Sequence, residues 1–87
     1  MYTLPIISFR SEEDAHSMLH YLQTTTETSV YRMHGIQFYV HSREFTLFLV
    51  TITRYDVCMS SADEDWLHAV YAHLQDNPAI MYPYRSN

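Results

Sequence analysis

His16 and His20 stand four residues apart, the spacing at which two imidazoles on one helix face reach a common metal ion. Glu12 and Glu13, one turn earlier, would complete a ligand set. Nothing resembling the His-Glu and second His of the zinc proteases surrounds them, so the plain expectation is a solvated helix face and no metal. Glu64 and His68 repeat the spacing, with His73 just beyond, and such a pair more often makes a modest surface contact than an acid–base couple. Cys58 is the only cysteine and has no histidine paired to it by spacing. A nucleophilic thiol needs a neighbour that lowers its pKa, so Cys58 is expected to be structural. No catalytic residue, cofactor site or metal site is predicted, and the chain is not expected to be an enzyme. The competing class is a small-ligand or metal-binding regulatory domain, or a small enzyme, with His16, His20, Glu64, His68 or Cys58 in a cleft. It requires those groups to converge in three dimensions.

Composition narrows the field further. Eighty-seven residues make a single domain, 1–87, with room for one core. All five basic residues are arginine, which removes Schiff-base and phosphate-loop lysine chemistry. A net charge of −5 has the wrong sign for holding a phosphate backbone. Direct nucleic-acid binding is therefore not expected, and a partner with a basic surface is. One cysteine excludes an intrachain disulfide. The start Met1-Tyr2-Thr3-Leu4-Pro5 lacks a basic region followed by an apolar core, and no run is long enough to span a membrane, so the expected compartment is the cytoplasm. Six histidines make the charge sensitive to pH, and binding is expected to vary between about pH 5 and 7.

The elements that must position these groups read as follows. Residues 2–9 form a strand that Pro5 confines to an edge or breaks. Ser11, with Glu12, Glu13 and Asp14 behind it, caps a helix whose buried stripe is Ala15, Met18, Leu19 and Leu22 and which fades at Thr24–Thr26. Val30 to Val40 is strand-patterned and interrupted by the only glycine, which predicts a turn at His34-Gly35 between two strands. Ser42-Arg43-Glu44 then leads into a long strand, 45–55. A second helix begins at Ser60 or Ser61, buries Leu67, Val70, Tyr71 and Leu74, and ends at Asn77-Pro78. The tail from Ala79 to Arg85 is extended in character. The class is α+β: an antiparallel sheet with two helices on one face, order β-α-β-β-β-α with a possible C-terminal strand. If 29–41 is one strand and the tail pairs, the order becomes the ferredoxin-like βαββαβ.

Phe45-Thr46-Leu47-Phe48-Leu49-Val50-Thr51-Ile52 dominates the functional reading, because as a strand it is apolar on both faces. Two helices cover one face, so a second copy or a partner is expected on the other. The leading expectation is a small acidic, non-enzymatic protein-binding module, with a homodimer as one form. Its predicted contact residues are Phe45, Leu47 and Leu49 or the opposite set, with Tyr39 and His41 from a neighbouring strand. The aromatic peptide Tyr82, Tyr84 and Arg85 joins them as a stiff docking tail. A sharper form is an inhibitor made by a phage, other virus or mobile element against a host enzyme that handles nucleic acid, as the anti-CRISPR proteins are. That analogy is one of size and charge, with no family motif behind it. Phosphate mimicry by the acidic clusters 12–14 and 63–65 competes with their ordinary role in first helical turns.

Overall fold

The computed structural model describes residues 1–77 and residue 80. Strand β1 (Tyr2–Phe9) leads into helix α1 (Glu12–Thr24), a single 3-10 turn (Thr26–Thr28) and a short helix α2 (Ser29–Met33). Strands β2 (Gln37–Leu47) and β3 (Val50–Ser61) follow, and then helix α3 (Glu64–Gln75). The sheet order is β1-β3-β2, with β3 antiparallel to both neighbours. This is an α+β fold. The described order is a strand, a long helix, a short helix, two strands and a second long helix, with β3 paired between β1 and β2. The predicted C-terminal strand, like Tyr82, Tyr84 and Arg85, lies outside the described residues.

Local chemistry explains most boundaries. Among the described residues Pro5 sits on an edge strand, and the β1–β3 register shifts between Pro5 and Ile7, so the strand is irregular there. Ser11 caps α1 by accepting a hydrogen bond from the Asp14 N–H. Ala15, Met18 and Leu22 are buried with Leu67, Val70 and Leu74 of α3 against Ile6, Phe38, Val57 and Met59 of the sheet. Both long helices therefore share one face. Ile80 also joins this core.

Three expected elements differ. Residues 29–33 are helical, where a strand was expected. The Arg32 guanidinium donates to the carbonyls of Gln23 (2.5 Å) and Thr25 (2.7 Å), and the Thr28 hydroxyl donates to Leu22 O (2.5 Å), so this segment satisfies the open carbonyl end of α1. Gly35, at φ +90°, follows the helix instead of joining two strands. The second long helix starts later than expected, because Ser60 and Ser61 still pair in β3 and Asp63 caps α3 through the Trp66 N–H. Finally, 45–55 is not one strand. The chain reverses at Phe48-Leu49, and the segment expected to be one strand apolar on both faces is the end of a long hairpin.

Candidate interaction surface

Register builds the hairpin's two faces. β2 and β3 pair in one unbroken ladder from Gln37 opposite Ser60 to Leu47 opposite Val50, leaving Phe48 and Leu49 as a two-residue turn. β1 pairs only with residues 55–61 of β3. Residues 50–54 thus have a sheet neighbour on one side only, among the described residues, and with 43–47 they form a two-stranded ribbon. The ribbon runs on the order of 17 Å past the last β1 pair.

Pairing sorts its side chains. Phe45 faces Ile52 and Leu47 faces Val50 on one side, while Thr46 faces Thr51 and Glu44 faces Thr53 on the other. The threonine side is continuous with the helix-covered face, because Phe38 and Val40 share it. The apolar side is continuous with the opposite face, on which no helix packs among the described residues. Tyr39 and His41 lie on that face too, on the same strand as Phe45 and Leu47 rather than on a neighbouring one. The structure thus brings Tyr39, His41, Phe45 and Leu47 into one row, with Leu49 at its end. The two apolar sets expected from a single strand are not separate: Phe45, Leu47, Val50 and Ile52 share a face.

These side chains are not kept dry. Phe45, Leu47 and Val50 are 40, 53 and 58 % exposed, and Phe48 and Leu49 are 90 and 99 % exposed. Both turn residues have left-handed backbone, at φ 52° and 70°. A turn of this kind normally takes Asn-Gly or Asp-Gly, and a bulky residue there costs roughly 1–2 kcal/mol. Two large apolar residues are held in an unfavourable conformation with almost no contact to the body.

A polar row bounds the patch at its base. Arg43 Nε donates to Asp56 Oδ2 at 2.8 Å, and its guanidinium carbon lies 5.9 Å from the Phe45 ring centroid. Arg54 is directly opposite Arg43. It shares a surface cleft of about 470 Å³ with Phe9, Arg10, Ser11 and Asp14.

The chemistry-bearing residues do not converge. His16 contacts Glu12 at 3.6 Å, and the two line a cleft of about 330 Å³ with Glu44 and Tyr55; His20 is not in it. No group of three or more His, Cys, Asp or Glu side chains is placed to hold a metal ion among the described residues. Cys58 is buried on β3, where burial first and the Asp56 carboxylate second push its thiol pKa up, against a lowering hydrogen bond from Tyr39. The Cys58 thiol also donates to Asp56 O at 3.6 Å. His73 is hydrogen-bonded through Nδ1 to the Tyr31 hydroxyl, and burial raises the pKa of that hydroxyl. His68 and Glu64 are exposed on α3.

The acidic clusters are separated. α1 starts at the Phe9–Tyr55 end of the sheet and α3 at the Tyr2–Ser61 end, so 12–14 and 63–65 do not make one stripe. Among the described residues no helix is long and apolar enough to cross a membrane. Phe48 and Leu49 are the residues that sequence reasoning misread. Their signal is the mirror pattern of apolar-Thr-apolar on either side of them, Phe45-Thr46-Leu47 and Val50-Thr51-Ile52. No family model, curated protein or solved structure matches this chain.

Proposed function

We propose that this protein is a small non-enzymatic module that acts by protein–protein contact, with the β2–β3 ribbon as its docking element. The observation that carries the reading is the pair Phe48 and Leu49, fully exposed at left-handed φ. Strain of this kind persists where a fold is selected for something other than its own stability. The surrounding apolar face supports it, because isolated exposed apolar residues are ordinary and a contiguous patch is not. Elsewhere the raised thiol of Cys58 and the scattered histidines favour binding over catalysis.

The test is affinity capture with the immobilised chain and with the double variant Phe48→Asn, Leu49→Gly, which supplies the dipeptide the turn prefers. Proteins retained by the native chain, its own free copies included, are expected to be lost from the variant. An identical set on both would remove the ribbon from the contact.

A further inference from the structure

We infer that the occupant of the ribbon's apolar face is a second copy of this chain, packed face to face about a two-fold axis. The inference rests on the reading above and names the partner it leaves open. It begins with area. The five exposed side chains at the ribbon's end offer on the order of 700 Å² of apolar surface, given 150–250 Å² for a phenylalanine, and a standard interface takes roughly 800 Å² from each partner. Two such faces match one another in extent.

The rows match as well. With the axis between the Phe45–Ile52 and Leu47–Val50 rows and the ribbons antiparallel, each apolar row lies on the other copy's apolar row. Each tip then reaches the partner's Arg43–Arg54 row. Phe48 meets a guanidinium there, the contact that Arg43 already makes with Phe45. The two arginine rows end roughly 20 Å apart along the strands, about two and a half screening lengths at physiological salt. A self-complementary patch of this kind is what a two-fold interface requires.

A bilayer fits less well. Sinking the ribbon into hydrocarbon would carry with it the backbone edge of β3 50–54, unpaired among the described residues, and the face formed by Glu44, Thr46, Thr51 and Thr53. The charge of −5 is also repelled by an anionic leaflet.

Sedimentation velocity on the purified chain from about 1 to 500 µM tests the inference, the micromolar range being the weak end for interfaces of this size. The native chain is expected to pass from monomer to dimer. Leu47→Arg sets a charge at a half-exposed position that the monomer tolerates, and is expected to weaken the dimer roughly a hundredfold by leaving that charge unpaired in the interface. The Phe48→Asn, Leu49→Gly variant is expected to do the same, with circular dichroism confirming both folds. A native chain that stays monomeric throughout would overturn the second copy. In that case, proteins captured by the native chain and not by the variant would still uphold the ribbon as a docking element. A dimer indifferent to both substitutions would place the interface elsewhere and overturn the inference. Cosedimentation of a monomer with phosphatidylserine-containing vesicles would overturn it in favour of a membrane.

Discussion

Cys58 and Asp56 show how side chains on one face of β3 are set by their neighbours. Burial and the Asp56 carboxylate disfavour the Cys58 thiolate. The native thiol is therefore expected to react with iodoacetamide at pH 8 more slowly than the same chain in denaturant; equal rates would show an accessible, activated thiol. Because the folded pKa is raised, the native state binds more protons than the unfolded chain above the ordinary thiol value. Its contribution to stability is complete below about pH 8.5 and declines as pH rises through the folded pKa. Thermal melts of the native chain should accordingly fall in that alkaline window by more than those of Cys58→Ser, and parallel curves would contradict this. Asp56 is nearly buried and holds Arg43, which faces Arg54. Asp56→Asn leaves the two guanidinium groups without that carboxylate and is expected to cost about 1 kcal/mol in urea denaturation, a modest figure because Arg43 is half exposed. No loss of stability would show the pair to be idle. Cys58 was legible as a thiol with no histidine paired to it by spacing, and the structure buries it. It did not reveal Asp56, whose role depends on a residue thirteen positions away on another strand.

The segments around Gly35 and Phe48 separate what periodicity reads from what tertiary contact decides. Both long helices were legible, since their apolar stripes and first-turn acids are local signals. Residues 29–33 were not, because the bonds from Arg32 and Thr28 to the end of α1 and the burial of Tyr31 override a β-branched, aromatic run. Gly35 was legible as a positive-φ position and misassigned to a hairpin. An added Cβ there meets nothing within 4 Å, so Gly35→Ala is expected to cost only the backbone penalty, about 1 kcal/mol by urea denaturation. A gain in stability would contradict the left-handed assignment. The reversal at 48–49 escaped notice because it has neither Gly nor Asn, and cross-strand pairs of β-branched and aromatic residues impose the turn from outside.

The assembled chain is an acidic body with a protruding apolar ribbon, 43 Å in its longest dimension. Its five-unit negative charge opposes self-association through long-range repulsion, and salt screens repulsion while strengthening apolar contact. The dimer is therefore expected to tighten between about 50 and 500 mM sodium sulfate, ionic strengths of about 0.15 and 1.5 M. Weakening across that range would instead show that opposite charges hold the dimer and would contradict the apolar contact. Through all of this runs the claim that Phe48 and Leu49 serve contact and not folding. The thermal unfolding of Phe48→Asn, Leu49→Gly at a concentration where the native chain is monomeric addresses that claim without intermediaries. Relief of two left-handed bulky residues should raise stability by about 1–3 kcal/mol. A variant that melts below the native chain would mean that the tip supports the fold itself, and the interaction account would be wrong.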